Sequence, residues 1–228
     1  MSSIINNIIQ DFIPVGRRNR PVTWTGGSFF NRFMIPEFIT IHETGNKAVG
    51  ANALSHAKYL KGDTAANTPV SWHFTVDDTR IVQHLPLNEN GWHSGDGVGG
   101  NGNTKSIGIE ICVNSDGNRT KADLNAVLLV AHLVNTVKSL RPYPECVKQH
   151  FHWSGKNCPE VIRSRTNGWN NFLAEIKKQI DIMTLPLMKR VFHGNVQVGA
   201  YRTNDAIVNT VTNLINSGKY PIRIEEIK

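Results

Sequence analysis

Apolar and polar positions alternate along the chain in a way that marks out short strands and longer helices. Residues 38–44 (Phe-Ile-Thr-Ile-His-Glu-Thr) are β-branched and apolar and predict a strand. Residues 73–78 and 80–86 flank a turn at Asp78-Thr79 and predict a strand pair. Residues 106–113 alternate strictly, with Ile107, Ile109 and Ile111 on one face and Gly108, Glu110 and Cys112 on the other. Helical spacing runs over 49–60 and over 121–140, where apolar positions 124, 127, 128, 131, 134 and 137 keep a 3.6-residue period. Thr120 and Asp123 predict a capping box at the start of the second helix. A third helix is expected over 159–180. Strands mixed with separated helices predict an α/β fold built around a central sheet.

Residues 88–105 contain six glycines and read as a long loop, which in a compact domain is usually functional or mobile. The helical pattern breaks near 183–187. Beyond it, 189–193 and 196–202 predict a hairpin around Gly194-Asn195, 203–217 a helix ended by Gly218, and 221–227 a last strand. This is a ββαβ module with too few residues for a large core. The expected organisation is a catalytic domain over 1–180, a linker over 181–187 and a small binding domain over 188–228. A core this small is also expected to be marginal alone or to dimerise.

Composition narrows the function. A chain of 228 residues is long enough for one substantial core and a small second module. No apolar run reaches the ~18–20 residues a membrane helix needs, so no membrane partner is expected. The start, Met-Ser-Ser-Ile-Ile-Asn-Asn, has no basic region followed by an apolar core. The expectation is therefore no signal peptide and synthesis in the cytoplasm, with release by other means if the protein works outside the cell. The net charge of +7 favours a polyanionic partner, either nucleic acid, anionic membrane or anionic cell wall. Without a long Lys/Arg run or a closed four-ligand zinc set, a nucleic-acid binder is disfavoured. The three cysteines, Cys112, Cys146 and Cys158, are too few for a disulfide scaffold and leave room for a thiolate ligand.

Chemistry concentrates in His150-Phe-His-Trp-Ser-Gly-Lys-Asn-Cys-Pro159, where imidazole and thiolate donors flank a Ser-Gly turn. Zinc accepts both donor types, and a catalytic site needs three protein ligands plus an open position. His42, at the end of an apolar strand, is the best third donor. His152 remains an alternative to His150. Glu110, on the face opposite the isoleucines, is a carboxylate able to take a proton from water and pass it to a leaving amine.

Four ordered blocks then carry a resemblance: residues 39–46, 71–78, 106–112 and 150–159. They are similar to the type-2 N-acetylmuramoyl-L-alanine amidases, a family that includes phage endolysins and resembles animal peptidoglycan-recognition proteins. Residues 83–97 strengthen the likeness toward endolysins of Bacillus-type phages and prophages. The likeness covers roughly residues 1–175, and the tail resembles small wall-binding modules attached to such enzymes. The resemblance implies a central mixed β-sheet flanked by helices. It implies Zn2+ held by His42, His150 and Cys158, with His150 preferred over His152. It further implies Glu110 as the acid/base and Lys156 as a cation beside the scissile carbonyl. Some relatives carry tyrosine at the position of Trp72, and tryptophan cannot move that proton, which leaves the proton work with Glu110. Trp72, His73, Trp92 and His93 fall at positions around the cleft and are expected to contact substrate. Of these, His73 also reads as buried support beside the metal.

The implied reaction is hydrolysis of the amide between N-acetylmuramic acid and L-alanine in bacterial peptidoglycan, with host lysis as its purpose. The alternative is a non-catalytic recognition module, which usually lacks a metal ligand, typically the cysteine. The tail holds Lys189, Arg190, Arg202, Lys219, Arg223 and Lys228 against Asp205, Glu225 and Glu226, an excess of three positive charges. Attachment to an anionic wall polymer therefore needs a specific pocket, expected around Phe192, Tyr201 or Tyr220.

Overall fold

The computed structural model describes residues 3–21, 33–68, 70–185 and 189–227. Residues 186 and 187 of the expected linker lie outside the described residues. The chain divides into two compact units, Met1–Met183 and Thr184–Lys228.

The first unit begins with α1 (Ser3–Asn6), β1 (Ile9–Gln10), β2 (Phe38–Glu43), α2 (Ala53–Lys61) and α3 (Asp63–Asn67). There follow β3 (Phe74–Val76), β4 (Ile81–Gln83), α4 (Asn101–Thr104), β5 (Ser106–Ile111) and α5 (Arg119–Thr136). It closes with β6 (Val147–Gln149), α6 (His150–Ser154), α7 (Glu160–Ser164) and α8 (Gly168–Thr184). Six strands form one sheet in the order β1-β4-β3-β5-β2-β6. Only the β3–β4 pair is antiparallel, so the sheet is mixed, as the resemblance implies.

The two faces of the central strands do different jobs. Ile39, Ile41, Ile107, Ile109 and Ile111 have no exposed surface and pack with Ala126, Val127, Leu129 and Val130 of α5 and Phe172 and Ile176 of α8. Full burial of each isoleucine is worth about 1.5–3 kcal/mol. This face fixes the register of β2 against β5, since a slip of one residue would turn the isoleucines outward. The opposite face carries Thr40 and His42 on β2 beside Gly108 and Glu110 on β5, with His42 and Glu110 paired directly across the strands.

Several helix boundaries differ from the sequence pattern. The N-cap of α5 is Asn118, whose side chain accepts from the Lys121 N–H at 3.0 Å, in place of a Thr120 box. Its buried face is shifted. Ala122 and Ala126 face the sheet and Leu124 is 47% exposed, because the small residues allow close approach to the strands. His132 on the same helix is only partly buried. The expected helix over 159–180 is two helices. A Cβ at Gly168 would lie 1.9 Å from the Ile162 carbonyl oxygen, and Asn167 adopts φ 51, so the chain turns sharply between α7 and α8. The 88–105 loop contains α4 and is pinned internally, with the Asn103 side chain accepting from the N–H groups of His93 and Ser94.

The second unit has the expected ββαβ order: β7 (Lys189–His193), β8 (Val196–Tyr201), α9 (Asn204–Asn216) and β9 (Ile222–Glu226). Its sheet runs β8-β7-β9, antiparallel throughout. Thr203 caps α9, and Val191, Ile207 and Leu214 form a small core. Among the described residues no helix is long and apolar enough to cross a membrane.

Candidate metal centre and active site

Two segments far apart in sequence build the centre. His42 is the penultimate residue of β2, on the face opposite the isoleucines, and it is 1% exposed. His150 opens α6, and Gly155 then turns the chain back with φ 74. The Phe151 N–H donates to the Cys158 carbonyl at 3.0 Å, which brings Cys158 beside His150. Ligand atoms of His42, His150 and Cys158 all lie within 4.8 Å of one another, and all three residues are buried. Nδ1 of His42 is 2.9 Å from Nδ1 of His150. His152 is exposed and stands outside this group.

The donor set suits a thiophilic dication. Burial lowers His42 well below the ordinary imidazole range, with the charges of His93, His150 and Lys156 adding to the effect. Burial also lowers His150 to about 4, helped by Lys156. Both rings are thus held neutral, the form that ligates. Burial pushes the Cys158 thiol up to about 12, with Glu110 adding to the rise. A bound cation reverses that preference, because it stabilises the thiolate directly. The Glu43 N–H donates to Cys158 Sγ at 3.4 Å, a further support for negative charge on sulfur.

His93 sits where the sequence reading did not place it. It is 8% exposed, and its Nδ1 is 3.0 Å from His42 Nε2 and 2.9 Å from Ser94 Oγ. Its Nε2 lies 3.3 Å from the Ser106 carbonyl. The protons close in one direction. If His42 gives its Nδ1 lone pair to a metal, its Nε2–H donates to His93 Nδ1, and His93 Nε2–H donates to Ser106. His93 thus bonds His42 and Ser106 in one chain, an arrangement suited to orienting a metal ligand. Gly108 makes room for it, since a Cβ there would meet the His93 ring at 2.8 Å.

His73 also departs from the expected substrate contact. It has no exposed surface, accepts from the Gly108 N–H at 3.0 Å and bonds the Glu89 carbonyl at 2.8 Å. It joins β3 to β5 and to the 88–105 loop and has no nitrogen left for a ligand. Trp92 is half-buried and its backbone bridges Ser71. Trp153 donates its Nε1–H to Thr40 at 2.8 Å and packs edge-on against Phe38.

Glu110 faces the centre from β5. Burial raises its carboxyl to about 8, against the opposing pull of Lys156 and with Glu43 adding to the rise. Its Oε2 has no exposed surface and no hydrogen-bond partner. Lys156 is exposed, and its charge acts on His42, His150, Cys158 and Glu110 alike. A cavity of about 310 Å³ opens beside Glu110 and is lined by Thr44, Asn46, Ser55, His56, Tyr59 and Trp72. The Trp72 Nε1–H donates to Thr75 at 2.8 Å, so Trp72 offers this cavity only a ring face.

Two supporting residues had no signal in the sequence pattern. Glu43 is buried and accepts from Arg119, from Val161 N–H at 2.7 Å and from Ile162 N–H at 3.1 Å. It thereby ties the first turn of α7, directly after Cys158, to the strand that carries His42. His56 lies on the buried face of α2, where its spacing reads as ordinary core.

A buried two-histidine, one-cysteine group that could hold a metal ion lies beside a carboxyl on a mixed sheet, the arrangement of a candidate hydrolase site. The N-acetylmuramoyl-L-alanine amidase family matches residues 32–161, and the chain belongs to it. It is 51% identical over 172 residues to the N-acetylmuramoyl-L-alanine amidase XlyA of Bacillus subtilis, covering 75% of this chain and 51% of that one. It is 49% identical over 168 residues to CwlH of the same organism, covering 73% and 59%. The chain thus spans about half to three-fifths of the length of these curated relatives. Its structure matches the catalytic domain of XlyA with a TM-score of 0.64 and 50% identity, over 75% of this chain and 99% of that domain. Staphylococcus aureus AmiA, solved with its ligand, shares the fold at 19% identity and a TM-score of 0.55, over 80% of this chain and 92% of that one.

Proposed function

We propose that the protein is a zinc-dependent N-acetylmuramoyl-L-alanine amidase that cuts the amide between N-acetylmuramic acid and L-alanine in bacterial peptidoglycan. The observation that carries this reading is the convergence of His42, His150 and Cys158 beside Glu110 in a chain of this family. A non-catalytic recognition module has no need of a complete ligand set with a carboxyl aimed next to it.

His42, His150 and Cys158 would hold the ion. When bound, zinc supplies Lewis acidity that polarises a carbonyl and acidifies water. Glu110 does the proton work. Burial lifts the Glu110 carboxyl in the metal-free protein, and the charge of a bound dication would favour its ionised form, which can accept a proton from water and return it to the leaving nitrogen, typically a 10²–10⁴-fold effect. Lys156 offsets negative charge growing on the carbonyl oxygen. His93 and Glu43 keep the ligands in place.

The same proposal extends to the setting. The protein acts as an endolysin, made in the cytoplasm and released to the wall through a holin. Its C-terminal unit attaches to an anionic wall polymer and pairs with a second copy. In that unit Arg223 lies 4.7 Å over the Phe192 ring, and Tyr220 is exposed, which supports an aromatic and cationic contact surface.

The decisive test is digestion of purified peptidoglycan with and without chelator. New L-alanine amino termini are expected, lost on full metal removal and restored by zinc. New reducing sugar ends would overturn the bond assignment, and activity surviving complete metal removal would overturn the mechanism.

A further inference from the structure

The cavity beside Glu110 holds polar groups that the reaction above does not use. Thr44 Oγ1 has no exposed surface and no hydrogen-bond partner. A buried unpartnered hydroxyl is destabilising, so its retention at the edge of a cleft points to a missing partner. His56 lines the same cavity at 8% exposure. Its Nδ1 lies 2.8 Å from the Asn52 carbonyl, which can only accept. That bond fixes the ring proton on Nδ1 and leaves Nε2 as an acceptor. Burial lowers the His56 pKa, which keeps the ring neutral at pH 7. Ser55 spends its hydroxyl proton on the Gly50 carbonyl at 2.6 Å, so it too presents lone pairs.

The lining is Thr44, Asn46, Ser55, His56, Tyr59, Trp72 and Glu110, with no lysine or arginine. Acceptors outnumber fixed donors, and the one ionisable acid is Glu110. Such a cavity favours an N–H donor over a further acceptor. Trp72 and Tyr59, stacked with ring planes 22° apart, provide flat walls for a planar group.

We propose that His56 and Thr44 form a substrate-positioning subsite that grips an amide N–H next to the scissile bond. This rests on the amidase reading above and assigns a role within it to a helix, α2, that carries none of the reacting groups. Two parts of the substrate offer that chemistry, the acetamido group of the amino sugar and the second peptide bond of the stem.

The test uses the full chain with zinc bound. His56→Leu removes the acceptor, and His56→Gln restores one at similar reach. Thr44→Val removes the hydroxyl without changing size. Steady-state kinetics are measured on muramoyl-peptide fragments with and without the N-acetyl group, and with stems of one or three residues. His56→Leu and Thr44→Val are each expected to raise KM about tenfold, the scale of one hydrogen bond, with kcat changed less. His56→Gln is expected to recover most of the loss. Zinc content stays at the wild-type level, and Thr44→Val unfolds at a higher denaturant concentration because a buried unpaired hydroxyl is gone. A KM effect confined to N-acetylated fragments places the sugar in the subsite, and one confined to longer stems places the peptide there. Unchanged KM in both variants, or an equal loss on every fragment that Gln does not rescue, overturns the subsite. Wild-type protein that releases no L-alanine amino termini from whole peptidoglycan overturns the amidase reading itself, and the subsite with it.

Discussion

In the proposed reaction the proton transfers fall to one carboxyl, that of Glu110. Glu110→Gln is expected to keep the metal and the fold while turnover falls about 10²–10⁴-fold, measured as released amino termini alongside metal content. A variant with nearly full turnover would show that the proton moves elsewhere. The same residue controls stability in the metal-free protein. Its pKa rises from 4.5 to about 8 on folding, so the folded chain keeps a proton that the unfolded chain has lost. That contribution is complete below 4.5 and is lost as pH rises through about 8. His73, His84 and His150, lowered to about 4 by burial, act in the opposite sense: their contribution is present above 6.5 and lost as pH falls through about 4. Between pH 6.5 and 8 the histidines are silent. The chelator-treated protein should therefore weaken over that interval, and Glu110→Gln should flatten the slope in urea unfolding. An identical slope in the variant would assign it to another group.

Elements place these residues, and here the pattern of the chain was only partly readable. Strict alternation in 106–113 marks β5 and puts Glu110 opposite the isoleucines, because one strand must bury one face. His42, His150 and Cys158 stand out as donor types in ordered blocks. The role of His93 could not be read, since it arises where a loop folds back over Gly108, a contact between segments with no local signature. The buried face of α5 misleads for a related reason. A period counted by large apolar residues favours Leu124, whereas close packing on the sheet selects Ala122 and Ala126. Gly108 yields the prediction at this scale. Gly108→Ala is expected to push the His93 ring away from His42 and weaken metal binding about 10–100-fold, read by competition with a chelator. Affinity equal to wild type would show that His93 does not hold His42 in place.

At the scale of the whole molecule, the first unit carries every proposed ligand and the second unit none. A chain ending at Met183 is expected to cleave soluble muramoyl-peptide fragments at the full rate, but to bind and clear intact walls less well. Equal binding to intact walls by both forms, measured by co-sedimentation, would remove the wall-attachment role of residues 184–228. The two units meet at 183 and 184, where the apolar pattern breaks before it restarts as a hairpin at 189.

The separation of the two halves of the metal centre has a further consequence for how the protein is made. His42 and His150 are 108 positions apart. At a synthesis rate of about 5–20 residues per second, the first ligand waits roughly 5–20 s on the nascent chain before the second is added. During that time no complete ligand set exists, and a nascent chain cannot bind the ion in its final form. Capture of an ion by this group would therefore report that β2 and the 150–158 segment have already come together.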